Sequence, residues 1–285
     1  LQHAGYTGAE RLLLADHRLY YGRYLNPALR NYFVETVIPH IARSISFLMS
    51  GAPRPRILDL GCGLGMQSII LASLGARVVG LDIREQAIAL CRKRKGYYEQ
   101  HLGMNLDIEF VQGNFLESRP EDFPGGFDSV FSMAGFSSMR PLQRSAALIS
   151  AILKPEAKVC LFEKNSHHPL NMLRSSPEPS PASTLDVFAR EGFSQSFLYG
   201  GCALPSVFWK SARLNQTLVH PANNLLRKSL PLSFNYVLGL QRGKGVAAET
   251  EKYRLGAAVL ALDALCQPDV FLPLLSSLRA SSSPV

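Results

Sequence analysis

The sequence reads as an α/β protein. Short apolar strands alternate with helical segments, a glycine-rich turn follows the first strand, and acidic side chains stand at strand ends. Strands alternating with helices build a mostly parallel sheet with helices on both faces, because each crossover lays a helix over one face of the sheet. At 285 residues and 47% hydrophobic content, the chain can bury a sizeable core as one large domain or two small ones.

The elements follow in order. Residues 1–50 place Leu12, Leu13, Leu14, Phe33, Val34, Val37, Ile38, Ile41 and Ile45 at helical spacing, which predicts two or three helices before the sheet. Gly51-Ala-Pro-Arg-Pro-Arg56 punctuates this region, and the apolar run Ile57 to Leu60 then enters the turn Gly61-Cys-Gly-Leu-Gly65, a strand, turn and helix in succession. The helical pattern runs from Gln67 to Leu74. Arg77 to Asp82 is a short buried strand ending in a carboxylate, and Arg84 to Tyr98 is a further helix. The alternation continues with strands at Ile108 to Val111 and Phe127 to Phe131, a helix from Pro141 to Leu153, and a strand from Lys158 to Glu163. Ser175 to Ser183 is a polar, proline-rich connection. Thr184 to Arg190 is helical, Phe193 to Tyr199 and Ser233 to Leu240 are strand-like, Thr250 to Cys266 is an extra C-terminal helix, and Ser281 to Val285 is a frayed end.

Composition excludes more than it names. No run reaches the ~20 uninterrupted apolar residues that a membrane span needs, so no membrane span is expected. Cys62, Cys91, Cys160, Cys202 and Cys266 form no CxxC pair and no metal-ligand spacing, a pattern that suits a reducing cytoplasm and no structural metal. The formal charge of +8 would attract polyanions, yet the basic residues are dispersed. The densest run, Arg92-Lys-Arg-Lys95, spreads round a helix and is expected mostly to meet water. The chain opens at Leu1 rather than Met, which leaves room for residues upstream.

The chemistry gathers around the glycine turn. Asp59-Leu-Gly-Cys-Gly-Leu-Gly65 sits where the first parallel strand gives way to a helix, the crevice in which α/β sheets bind ligands, and glycines there let a ligand approach the backbone. Dinucleotide-binding folds use GxGxxG in the same place, but that spacing would require glycine at Met66, whereas the third glycine is Gly65. The carboxylate of Asp59 would repel a pyrophosphate and attract a cationic amino group or sulfonium. Asp82 closes the second strand, where a carboxylate can accept both ribose hydroxyls of an adenosine. After the third strand, Gly113-Asn-Phe115 offers an amide for an adenine edge and an aromatic face for its ring, or else is a plain polar turn. Cys62 has no base beside it in sequence and reads as a small spacer.

Asp59, Gly61, Gly63, Gly65, Asp82, Asn114 and Phe115 together resemble the cofactor motifs of class I S-adenosylmethionine-dependent methyltransferases, closely over residues 55–165 and more loosely to Lys244. The resemblance implies a Rossmann-like seven-stranded sheet with its last strand antiparallel, and S-adenosylmethionine as cofactor. Its site would be Asp59, Gly61, Cys62, Gly63, Gly65, Asp82, Ile83, Asn114, Phe115 and Ser132, with Asp59 on the methionine amino group. Asn114 stands where the family more often has Asp. The implied organisation is an N-terminal helical lid over residues 1–50, a core over 51–245 with a substrate roof at about 200–231, and a helical tail over 246–285.

The fourth strand ends in Ser132-Met-Ala-Gly135, without the Asn/Asp-Pro-Pro-aromatic motif of enzymes that methylate exocyclic base amines, and no Pro-Cys pair of the cytosine-C5 type is present. Those absences lower the weight of a nucleic-acid substrate and favour the small-molecule branch, with methyl transfer to an oxygen of the acceptor. A macromolecular acceptor and an inactive cofactor-binding scaffold stand as alternatives, and a homodimer stays open. His167 and His168 follow the fifth strand at the carboxyl edge of the sheet, either as a general base or as turn-capping loop residues. Tyr20, Tyr21 and Tyr24 could line the substrate side from the lid, and packing residues are the competing reading.

Overall fold

The structure, a computed structural model, describes residues 36–172, 179–204, 208–209, 215–226 and 228–243. Tyr20, Tyr21 and Tyr24, most of the N-terminal helical region, the C-terminal helix and the tail all lie outside the described residues, as does part of the roof segment.

Seven strands form one sheet in the order β3-β2-β1-β4-β5-β7-β6. They are β1 (Arg56–Leu60), β2 (Arg77–Asp82), β3 (Ile108–Gln112), β4 (Phe127–Met133), β5 (Leu153–Lys164), β6 (Phe193–Gly200) and β7 (Asn235–Arg242). The pairs from β3 through β5 are parallel, while β7 runs antiparallel to both β5 and β6. The last strand is therefore antiparallel, inserted between β5 and β6. From β1 the chain winds outward to β3 and then returns to lay β4 on the other side of β1. The carboxyl ends of β1 and β4 thus mark the topological switch point.

Period-two alternation explains why the strands read as nearly continuous apolar runs. Ile57, Val78, Ile108, Phe131, Phe162 and Val237 enter one core cluster, and Leu58, Val79, Val130, Leu161 and Leu238 enter the other. The first cluster also takes in Ile41 and Ile45 of α1 (Ile38–Met49), Ile69 and Ile70 of α2 (Met66–Ser73), and Ile88 of α3 (Glu85–Leu102). The opposite cluster takes in Ala146 and Ile149 of α4 (Leu142–Ala151). Two short helices follow, α5 (Pro169–Met172) and, past it, α6 (Pro181–Arg190), whose Val187 and Phe188 join that second cluster; α7 (His220–Leu226) comes later. Helices therefore cover both faces. Among the described residues no helix is long and apolar enough to cross a membrane.

Of the boundaries that differ from the sequence reading, two have clear local reasons. α6 begins inside the expected proline-rich connection because Ser180 and Ser183 form a capping box, the Ser180 side chain accepting from Ser183 N at 3.0 Å, with Pro181 in the first turn. β5 starts at Leu153 rather than Lys158, since Leu153 pairs with Phe127 across an irregularity in the β4 register.

Two glycines let α2 sit close to the sheet. A Cβ at Gly65, whose φ is 69°, would lie 2.8 Å from the Phe110 ring, and one at Gly80 would lie 2.7 Å from the same ring. Phe110 thus fills the space under the glycine turn, where any side chain would collide with it. Gly65→Ala combines a left-handed backbone with overpacking and should cost about 1–3 kcal/mol of stability, read as a lower midpoint in chemical denaturation.

Candidate cofactor site

β1 carries Asp59 into the interior, in register with Gly80 of β2 and Phe131 of β4, and leaves it 2% exposed. Ser68 of α2 donates its hydroxyl to Asp59 Oδ2 at 2.6 Å. Burial pushes the Asp59 carboxyl up to about 6, against the Ser68 hydrogen bonds and helped by the nearby charge of Asp82. The fold thus holds an acid at its switch point that ionises only at some cost, and a bound cation would offset that cost.

The glycine turn is tied to the end of β2. Gly61 N and Cys62 N both donate to the Leu81 carbonyl, at 2.8 and 3.0 Å, and Gly63 N donates to Asp82 Oδ2 at 2.9 Å. Cys62 is buried and its thiol is pushed far up by a hydrogen bond with Cys91 and by desolvation, so it is a poor nucleophile.

The basic run on α3 departs from the expected solvated face at Arg94. That side chain is 3% exposed and donates to the Leu64 carbonyl of the glycine turn, while Arg92 and Lys95 donate to the β3 carbonyls of Phe110 and Ile108. Arg94 alone of the run is buried, while the exposed Arg92 and half-buried Lys95 lay their stems along the helix to reach the β3 edge.

At the end of β2, Asp82 Oδ1 accepts from Arg84 N and Arg84 Nε, each at 3.0 Å, and Arg84 Nη2 lies 3.4 Å from Oδ2. Ile83 stands 61% exposed between them, its carbonyl accepting from Gln112 Nε2 at 3.1 Å. Beyond β3, Asn114 caps a short 3-10 turn: its Oδ1 accepts from Leu116 N at 3.1 Å and its Nδ2 donates to Glu117 Oε1 at 2.8 Å. Phe115 is 2% exposed within the second core cluster. Its ring therefore faces inward, and the exposed apolar surface at this edge belongs to Ile83 instead of the expected aromatic face.

Ser132 is fully buried, donates to the Leu60 carbonyl at 2.8 Å and accepts from Phe136 N at 3.0 Å. The same Phe136 N lies 3.0 Å from Oε1 of Glu163, a buried acid at the end of β5. Ser132 and Glu163 thereby hold the turn after β4 against the glycine turn, where a Cβ at Gly61 would meet Gly135 Cα at 3.3 Å.

The two histidines part company. His167 is exposed and donates its backbone N–H to Asn165 Oδ1 at 3.1 Å. His168 is 6% exposed, with Nδ1 3.3 Å from Leu170 N and Nε2 3.3 Å from the Ala203 carbonyl. A backbone N–H can only donate to Nδ1, so Nε2 carries the proton and both ring nitrogens are engaged in the neutral form. Burial lowers the His168 pKa.

Sequence reasoning passed over Ser68, Arg84, Arg94 and Glu163. A serine in the first turn of the helix Met66–Ser73, directly after the glycine turn, and an arginine two residues after an acidic strand end, were the available signals.

A doubly wound sheet with a glycine turn at its switch point, a buried acid below that turn and a second acid at the neighbouring strand end is an arrangement in which α/β folds bind nucleoside cofactors. The chain contains a class I S-adenosylmethionine-dependent methyltransferase domain, with S-adenosylmethionine as the cofactor of that class: residues 57–156 match the family model described as a methyltransferase domain. The chain is 30% identical over 112 residues to a sterol 24-C-methyltransferase from Gibberella zeae, a match covering 39% of this chain and 28% of that protein. It is 29% identical over 103 residues to a ubiquinone biosynthesis O-methyltransferase from Burkholderia thailandensis, covering 36% of this chain and 41% of that protein. The chain thus spans less than half the length of both relatives. In fold it resembles a chain from the complex of the Haloferax volcanii Trm112 methyltransferase activator with a methyltransferase, with a TM-score of 0.55 and 17% identity over 85% of this chain and 100% of that one.

Two outcomes test these side-chain roles. His168→Ala should lower the thermal midpoint by removing the tie between the turn after β5 and Ala203. The wild-type protein should lose stability as pH falls below about 6.5 in a way the variant does not: the unfolded chain takes up the His168 proton first, so stability rises with pH through that window. Asp59→Asn should stabilise the cofactor-free protein at pH 8 by up to about 3 kcal/mol, the cost of ionising a carboxyl raised from 3.8 to about 6. That gain should vanish below pH 3.8, where the acid is protonated in both folded and unfolded chains, as urea denaturation at the two pH values would show.

Proposed function

We propose that this domain binds S-adenosylmethionine across the carboxyl edge of β1 and β2 and transfers its methyl group to an oxygen of a small-molecule acceptor. The observation that carries the cofactor half is the buried, desolvated Asp59 beneath the glycine turn. An acid kept there suits a cationic ligand and opposes a pyrophosphate.

The cofactor, when bound, supplies a methyl group already activated by the sulfonium. The chain's own residues bind and orient: Asp59 holds the cationic amino group, directly or through water. Asp82 accepts the ribose hydroxyls, the glycine turn admits close backbone approach, and Ile83 gives the adenine an apolar surface. Positioning of this kind can supply about 7–11 kcal/mol of the barrier, so little acid–base help is required. Where the acceptor needs a base, exposed His167 at the sheet edge serves better than His168, whose ring nitrogens are committed to backbone partners.

A small-molecule acceptor is supported by the turn Ser132-Met-Ala-Gly135, which lacks the base-methylating motif, and the oxygen by the name of the Burkholderia relative. The same reading takes residues 51–245 as the core, with 200–231 as the substrate roof.

Calorimetric titration should give micromolar-range binding of S-adenosylmethionine and none of NAD. Affinity for the former should fall about tenfold per pH unit below pH 6, as Asp59 is protonated. Asp59→Asn should bind at least tenfold more weakly at pH 8 and lose the pH dependence. Screening phenolic and other hydroxylated metabolites by release of S-adenosylhomocysteine then tests the acceptor class, and turnover on RNA or protein alone would reject it.

A further inference from the structure

We propose that Arg84 competes with the cofactor's ribose for Asp82, so that the free protein keeps its ribose-accepting carboxylate latched and cofactor binding is a displacement. This inference rests on the reading of Asp82 as the ribose acceptor.

Lone-pair arithmetic at Asp82 carries it. An ionised carboxylate offers about four acceptor positions, two on each oxygen. Backbone donors take one on each: Gly63 N on Oδ2 at 2.9 Å and Arg84 N on Oδ1 at 3.0 Å. These two are built into the chain and fix the carboxylate's orientation. The remaining position on each oxygen faces the Arg84 guanidinium, with Nε 3.0 Å from Oδ1 and Nη2 3.4 Å from Oδ2. A vicinal diol delivering one hydroxyl to each oxygen requires that same pair of positions. The planar guanidinium fork is thus a steric and electronic stand-in for the diol.

The surroundings fit a latch that can open. The Arg84 side chain is 51% exposed against 7% for Asp82, and among the described residues Asp82 is the one hydrogen-bond partner of the guanidinium. A Cβ at Gly63 would lie 3.7 Å from Arg84 Nη2, so the guanidinium also covers the glycine turn that a cofactor must approach. Withdrawal into solvent breaks, among the described residues, no hydrogen bond of the guanidinium other than those to Asp82. It uncovers the carboxylate and the turn together.

The test compares wild type, Arg84→Ala and Arg84→Lys, first checked for equal thermal midpoints, by calorimetry with S-adenosylhomocysteine. NMR titration with adenosine and with 2′,3′-dideoxyadenosine follows. Arg84→Ala should tighten S-adenosylhomocysteine and adenosine about two- to fivefold, the range set by an ion pair whose arginine is half exposed to solvent, and leave dideoxyadenosine unchanged. Arg84→Lys, without the fork, should fall between. Raising NaCl from about 0.05 to about 0.5 M should tighten neutral adenosine on the wild type and not on Arg84→Ala, because salt screens the latch. Equal or weaker binding of S-adenosylhomocysteine by Arg84→Ala than by wild type would overturn the competition and make Arg84 a residue that positions Asp82. Binding to neither protein would instead reject the cofactor reading itself, and the latch with it.

Discussion

The end of β2 is the anchor on which the site depends. Three consecutive loop donors converge there, Gly61 N and Cys62 N on the Leu81 carbonyl and Gly63 N on the Asp82 carboxylate. A turn leaving β1 could satisfy its amides with water. Here it folds sideways onto the neighbouring strand instead, which brings the buried acid of β1 and the acid of β2 to the same carboxyl edge of the sheet. The parallel register of β1 on β2, with Asp59 opposite Gly80, makes this geometry available. A side chain at Gly80 would displace Phe110 and with it the packing under the turn.

Around that anchor the protein spends polar groups on support. Ser68 stabilises Asp59, Arg94 reaches in from α3 to the Leu64 carbonyl, and Ser132 and Glu163 hold the turn after β4 against the glycine turn. None of these needs to touch a ligand to matter. Each satisfies a backbone or carboxylate group in a region where water is excluded, and an unpaired group there would cost more than the bond itself contributes. The site is consequently closely hydrogen-bonded and buried on the β1 side and more open at Ile83 and Arg84, both half exposed or more.

Much of the architecture was legible from residue pattern. Strands buried on both faces appear as apolar runs such as Ile57 to Leu60 and Val78 to Leu81, and helices between them follow from the spacing. The glycine turn and its flanking acids were legible too, because close backbone approach and charge are properties of residue type. Side-chain commitment was less so. Asn114, Phe115, Ser132 and His168 are the polar and aromatic residues one would choose for ligand contact, yet each is engaged in a cap, a core or a turn. A polar residue near a site has the same appearance in sequence whether it faces the ligand or satisfies the backbone.

By itself the sequence determined the α/β class, the place of the glycine turn and the acids beside it, since hydrophobic period, glycine and carboxylate are each read locally. Only the tertiary structure decided that Arg94 turns inward to the Leu64 carbonyl and that Ile83, tied to Gln112, is the exposed apolar surface. Those outcomes depend on which face of each helix meets the sheet and on partners tens of residues away. Burial and hydrogen-bond competition choose among such partners collectively, and no short stretch of chain contains that information.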